Sequence, residues 1–467
     1  GAAAWLGWIH RLPDWTTRFA TTAGPGEEIL LVVIGGSSAL GVPYEGWLSI
    51  GTIVGRELGR AVPARRVRVE VLAEKGATLE AMHQKLAGLS RRPDVLIVYS
   101  GHNEFVTRFS WLHRAAYYPD EPSPSRHWDT LQRLARASPL FRLVQENLEK
   151  QRVGLIPTRL LGPRETLVGR PVCTVEESAA IVADFHRRLA AIVADCQRIG
   201  CLPILIIPPG NDTWDPNQSY AAATTRREER EALFRRLTAA RARAASDAAG
   251  AVAAYQQILA EQPTLAEAHH RLARLLEAAG SFAEARRHYL LARDHDGLPM
   301  RCITPLEAAY RAVARQAPQA VLVDGPAILS DRSRHGILDE RFFHDNVHPT
   351  LAAQVALAEA VLGQLKARGA FGWPESTPAP TLDPHRLADE FGIDATAWAT
   401  VCQRTGDQLN LIAYVPYDPA ARIRLRDRYT IAAQRIRAGA RPQDVGIPGV
   451  GPDPPESGMV SAKAHSE

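Results

Sequence analysis

Short runs of β-branched and aliphatic residues, each ended by Gly, Pro, Ser or Asp, recur along the chain at residues 29–34, 67–72, 95–99, 204–207 and 320–323. Runs of this length and composition predict strands buried on both faces. Elsewhere the apolar positions fall three and four apart, which predicts helices over residues 46–60, 78–89, 179–198 and 351–368. Strands alternating with helices imply an α/β fold with a mostly parallel five-stranded sheet covered on both sides. In such sheets ligands gather at the carboxyl ends of the strands, so the turns that follow them are where chemistry is to be sought.

The stretch between the fourth and fifth strands, residues 225–315, is helical in pattern and partly repeats itself. Ala251, Tyr255 and Pro263 are matched 34 residues later by Ala285, Tyr289 and Gly297. This helix-turn-helix spacing resembles the tetratricopeptide repeat. Only about two repeats are present, fewer than the three or so that stand alone, so they must lean on the host domain. They serve either as a docking platform for a protein partner or as a helical lid. A Pro- and Arg-rich insertion at residues 106–175, helical in 131–150, is placed to wall the site. After residue 370 come a Pro-rich link at 373–384 and a helical extension to 441, with an Arg-rich helix at 420–437. Residues 442–467, rich in Gly and Pro with almost no apolar periodicity, are expected to be disordered. The α/β core thus spans 1–224 and 316–370, interrupted by the helical insertion.

Composition narrows the function classes. In 467 residues, 46% hydrophobic and 23% charged positions are near the averages for folded soluble proteins. Lys+Arg 55 against Asp+Glu 51 gives a net charge of +4, spread along the chain, which is too weak a basic balance for a nucleic-acid partner. The five cysteines (Cys173, Cys196, Cys201, Cys302, Cys402) include no CxxC pair, so neither a disulfide framework nor a structural zinc is indicated. No run of about 18 apolar residues occurs, and the chain is expected to be soluble as written. Residues 2–9, apolar with Trp5 and Trp8, read equally as the stub of an N-terminal membrane anchor or as a surface amphipathic helix. The anchor reading favours an extracytoplasmic, bacterial-type location over a cytoplasmic one.

Candidate chemistry sits in the strand-end turns. After the first strand stands Gly35-Gly36-Ser37-Ser38-Ala39-Leu40-Gly41, where small residues allow a sharp turn that exposes a hydroxyl. Gly76, after the second strand, can offer a backbone N–H with no side chain in the way. After the third stands Gly101-His102-Asn103-Glu104, with an amide donor, and before the last helix stands Phe343-His344-Asp345-Asn346-Val347-His348-Pro349. With Pro349 suited to the first turn of that helix, the spacing Asp345-x-x-His348 lets a carboxylate orient an imidazole from the same turn. A neutral serine needs such a base, held in the correct tautomer.

Together these four blocks resemble the SGNH (GDSL-type) hydrolase family. The resemblance covers roughly residues 29–364 with the helical insertion excised. It implies a flavodoxin-like three-layer α/β/α fold and an ester hydrolase working through an acyl-serine intermediate. Ser37 would be the nucleophile, His348 the base and Asp345 its orienting carboxylate. Gly76, Asn103 and the Ser37 N–H would form the oxyanion hole. Tyr44, His102, Glu104, Phe105 and His344 flank the blocks and are candidate substrate contacts. Two positions depart from the family pattern: Gly36 stands where an Asp is usual before the serine, and Glu104 where an Asp is usual after the Asn. The substrate class is a small-molecule, lipid or polysaccharide ester, and no cofactor or metal is called for.

Three other readings compete: an acyltransferase using the same acyl-enzyme, a repeat-based binding scaffold with a lapsed hydrolase site, and a metal-dependent phosphoesterase using His344 and His348, four residues apart.

Overall fold

The computed structural model describes residues 28–106, 173–219, 226–412 and 419–450, with residues 12, 14–16 and 19 ahead of them. Five strands, β1 (Glu28–Gly35), β2 (Arg66–Val71), β3 (Val95–Tyr99), β4 (Leu202–Ile207) and β5 (Val321–Asp324), form one sheet. All neighbours pair in parallel, in the order β2-β1-β3-β4-β5. The order reverses between β1 and β3, and it is at such a reversal that crossovers leave to opposite faces and open a crevice at the strand ends.

In chain order the helices are α1 (Ser37–Leu40), α2 (Ile50–Ala61), α3 (Leu79–Leu86), α4 (Val175–Arg198), α5 (Arg227–Arg243), α6 (Ala248–Glu261), α7 (Ala266–Ala278), α8 (Phe282–Asp294), α9 (Thr304–Gln316), α10 (Gly325–Arg332), α11 (Leu351–Ala367), α12 (Pro384–Glu390), α13 (Ala395–Ile412) and α14 (Pro419–Arg437). Successive strand residues point to opposite faces, and each face has its own core. Ile29, Leu31 and Val33 of β1 meet α2, α11 and the C-terminal helices, whereas Leu30, Val32 and Ile34 meet α3, α4 and α9. The apolar runs of β1, β3 and β4 are therefore continuous because both faces are covered, whereas β2, expected to be buried on both faces, is an edge strand that exposes Arg66 and Arg68 and only half-buries its valines. At about 1.5–3 kcal/mol for each fully buried aliphatic side chain, the central strands anchor the domain.

Each strand lies within two residues of its expected place. Helix α2 starts later than residue 46, because Gly46 adopts φ +97° and Ser49 and Thr52 cap each other at the true start. Helix α4 starts earlier, where Thr174 and Glu177 form the same reciprocal cap.

Two boundaries need correction. The helical stretch expected at 225–315 ends before α9, whose apolar face of Leu306, Tyr310 and Val313 joins the sheet core and does not belong to the insertion. Helices α5 to α8 share a separate small core around Leu237, Tyr255, Leu272 and Tyr289, tied to the host through Ile337. Ser219 Oγ accepts the Glu267 N–H at 3.0 Å, and Asp296 accepts the N–H groups of Asn217 and Gln218. The expected loose tail is also ordered at its start. A short 3-10 turn, Pro442–Val445, is followed by buried Ile447 and Val450, two apolar positions hidden among Gly and Pro. The N-terminal residues 2–9, the insertion apart from its first and last few residues, and residues 451–467 lie outside the described residues. Among the described residues no helix is long and apolar enough to cross a membrane.

Candidate active site

The ends of β1 and β3 come so close that side chains are excluded there. A Cβ on Gly35 would lie 2.0 Å from the Tyr99 carbonyl oxygen, and one on Gly36 would lie 2.3 Å from Asn103 Nδ2. Two glycines thus let the chain turn at the sheet edge and place Ser37, partly exposed, at the first position of the one-turn helix α1. The Gly36 found in place of an Asp matches this crowding.

The Asp345 and His348 segment differs from the expected helical turn. Phe343 and Pro349 form an antiparallel bridge, the His344 N–H donates to the His348 carbonyl at 2.9 Å, and the Thr350 N–H donates to that of Phe342 at 2.8 Å. The segment is a tight hairpin that ends before α11, and Pro349 belongs to the hairpin, not to the helix. Inside it, Asp345 Oδ1 accepts the N–H groups of Val347 and His348 at 2.9 and 2.8 Å. Its Oδ2 meets His348 Nδ1 at 2.6 Å, and His348 Nε2 meets Ser37 Oγ at 2.7 Å.

These contacts dictate the protons. A carboxylate beside Nδ1 holds the proton there, so the lone pair on Nε2 accepts the Ser37 hydroxyl. Burial alone raises a carboxyl's pKa, but at Asp345 the His348 partner and the two backbone N–H groups outweigh it and hold the group below its usual range. Ser38 is excluded from the relay, because it is buried and its hydroxyl donates to the Val347 carbonyl at 2.9 Å. It ties α1 to the hairpin.

Asn103 is 8% exposed, and Nδ2 donates one hydrogen to the Ala77 carbonyl at 3.1 Å, the second having no partner among the described residues. Gly76 lies one residue earlier, exposed in the tight turn of residues 74–77 at φ +72°. That turn alone accounts for a glycine there.

Of the candidate substrate contacts, several face inward. Phe105 is fully buried in the α3/α4 core. Glu104 accepts from the Leu79 N–H and the Ser100 hydroxyl, capping α3, and burial raises its pKa to about 7. Tyr44 and His344 are buried against each other, Tyr44 Oη lying 2.7 Å from His344 Nε2. Position next to a motif did not reveal direction, because a turn sends neighbouring side chains to opposite sides. Only His102 keeps a polar atom in reserve: it is 6% exposed, its Nδ1 accepts the Cys302 N–H at 3.0 Å, and its Nε2 has no partner among the described residues. His344 has both nitrogens engaged by tyrosines, so it does not form a metal-binding pair with His348.

Other residues that hold the hairpin, or the loop that follows α1, carried no sequence signal. Tyr429, on α14, lies 2.8 Å from His344 Nδ1. Asn211, beyond β4, donates from Nδ2 to the Asp345 carbonyl at 3.1 Å and from its backbone N–H to the Asn346 carbonyl at 2.9 Å. Arg404, on α13, grips the carbonyls of Pro43 and Glu45. Each lies far in sequence from the residue it holds. No protein-family model matches the chain, and no curated protein matches it in sequence.

Proposed function

We propose that the chain is a serine ester hydrolase of the SGNH type. The observation that carries this reading is the continuous relay from Asp345 through His348 to Ser37, with heavy-atom distances of 2.6 and 2.7 Å. Those lengths are within the range required for a base to take a proton from a nucleophile. As Ser37 Oγ bonds to the ester carbonyl carbon, its proton passes to His348 Nε2, and Asp345 stabilises the imidazolium. Asn103 Nδ2–H, the Ser37 N–H and the Gly76 N–H hold the tetrahedral oxyanion. Collapse breaks the bond to the alcohol, which leaves with the proton from His348. Water, deprotonated by the same nitrogen, then releases the acid and restores Ser37.

The helices α5 to α8 belong to this reading as a tetratricopeptide-like insertion attached beside the site. The test is turnover of activated acyl esters, from acetyl upward, by the wild-type chain and Ser37→Ala. Loss of a nucleophile costs on the order of a million-fold in a working serine hydrolase. Equal turnover by both proteins would overturn the proposal.

A further inference from the structure

We propose that His270, on the helical insertion, is a positioning residue for the relay. Through Thr213 and Asn211 it fixes the backbone of Asp345, so that the insertion is a working part of the active site and not only a lid or a docking platform. The inference deepens the ester-hydrolase reading above and rests on it.

His270 lies in α7, its ring tilted against that of Tyr289 on α8 with 5.6 Å between centroids. Its Nε2 is 2.9 Å from the carbonyl oxygen of Thr213, in the loop that leaves β4. A carbonyl only accepts, so Nε2 carries the proton and donates. Thr213 in turn donates twice to Asn211 Oδ1, from its backbone N–H at 3.0 Å and from its hydroxyl at 2.8 Å. A backbone N–H can only donate, which identifies that end of the carboxamide as the oxygen and the other as the NH2 group. The NH2 group donates to the Asp345 carbonyl at 3.1 Å. A continuous chain of hydrogen bonds thus runs from α7 to the residue that orients His348. His270, Asn211 and Asp345 are 5%, 4% and 1% exposed, so little water competes for these bonds.

Other contacts converge on the same loop. Arg301 Nη1 donates to the Asn211 carbonyl at 2.6 Å, and Asn346 Nδ2 donates to the Met300 carbonyl at 3.0 Å. The Asp212 N–H donates to the Leu338 carbonyl at 2.7 Å, and Asp212 Oδ2 accepts the Leu338 N–H at 3.1 Å. Ile337, next to Leu338, packs in the small core of the insertion. The insertion therefore grips the loop that holds the hairpin and also the segment that runs into it. A cover or a platform needs none of these bonds. Without the His270 donor the Thr213 carbonyl loses its buried partner, and the loop is free to let Asp345 drift from His348.

His270→Phe keeps a ring against Tyr289 and removes the donor, whereas His270→Gln returns a side-chain N–H near the Nε2 position. Each full-length protein, folded and well below its unfolding temperature, is treated with a fluorophosphonate. His270→Phe should label Ser37 about 10-fold more slowly, and His270→Gln should recover much of the rate. Ile258→Val trims the same small core without touching the chain, and should label as the wild type does. A proton spectrum adds a readout that stability alone would not move. The His348 Nδ1–H resonance, carried downfield by the short bond to Asp345, should shift in His270→Phe and return in His270→Gln. Wild-type labelling by His270→Phe with an unmoved resonance, or equal slowing by Ile258→Val, would overturn the assignment. Should His270→Phe fail to fold, Thr213→Val, which removes only the hydroxyl from the chain, should label more slowly, and an unchanged rate would overturn it equally. A labelled wild type with unaffected variants sinks the role of His270 alone; an unlabelled wild type sinks the hydrolase reading with it.

Discussion

Tyr429→Phe removes one oxygen far from the nucleophile in sequence, yet it should weaken the site. Tyr429 and His344 are each 2% exposed and meet at 2.8 Å. Burial lowers the His344 pKa to about 4, so near neutrality its ring has one donor and one acceptor nitrogen. In one arrangement every proton finds a place: Tyr429 donates to Nδ1, Nε2–H donates to Tyr44 Oη, and Tyr44 donates to the Gly449 carbonyl at 3.5 Å. The Leu351 N–H, at 3.1 Å, also donates to Tyr44 Oη. The network thus joins α14, the start of α11 and the hairpin that carries Asp345. Phenylalanine keeps the ring packing but leaves a buried nitrogen without a partner, which costs about 1–3 kcal/mol. Denaturant unfolding should report that loss. Because His344 precedes Asp345 directly, relaxation of the hairpin should also slow fluorophosphonate labelling of Ser37 by about 10-fold or more, since small misplacements of catalytic groups cost up to about 100-fold. A Tyr429→Phe protein with wild-type stability and wild-type labelling would refute the bracing argument.

Other substitutions separate the parts of the site. Asn103→Ala should lower ester turnover by about 100-fold or more while Ser37 remains labelled by fluorophosphonate, because an oxyanion donor is lost and the nucleophile is not; unchanged turnover would remove Asn103 from the proposed oxyanion hole. Asp345→Asn should lower turnover by about 10,000-fold by favouring the wrong His348 tautomer. It should also change acid stability: the depressed Asp345 pKa stabilises the fold above about pH 4, and this contribution fades as pH falls through the folded value. The unfolding free-energy gap between wild type and variant should therefore narrow below about pH 4, and a gap that held constant would contradict the assignment. Gly36→Ala places a methyl 2.3 Å from Asn103 Nδ2, so it should reproduce much of the Asn103→Ala defect, as turnover of the two proteins side by side would report.

Strands β1, β3 and β4 were legible because a strand covered on both faces must be apolar along its length, edge strand β2 by the alternation of its valines with Arg66, Arg68 and Glu70, and the strand order brings the blocks around Ser37 and Asn103 to neighbouring strand ends. The relay residues were legible for a related reason: Ser37, Asp345 and His348 each sit in a short polar block next to an unmistakable element. The inward turn of Tyr44, Phe105 and His344 was not legible, since the direction of a side chain beside a motif depends on backbone turns that residue identity does not specify. The hairpin around Asp345 looked like a helix start because Pro349 suits one, and only the pairing of Phe343 with Pro349 reveals otherwise. Tyr429 and Asn211 act across long sequence separations, and nothing local distinguishes them from other buried polar residues. Ile447 and Val450 were lost among Gly and Pro, where two apolar positions make no periodicity.

The central claim is that Ser37 is an activated nucleophile. Incubation of the intact chain with a fluorophosphonate, followed by mass spectrometry of its peptides, tests this without any knowledge of the natural substrate. The account predicts a single adduct on Ser37, absent in Ser37→Ala and strongly slowed in His348→Ala. An unmodified Ser37, under conditions where a generic serine esterase reacts, would contradict it.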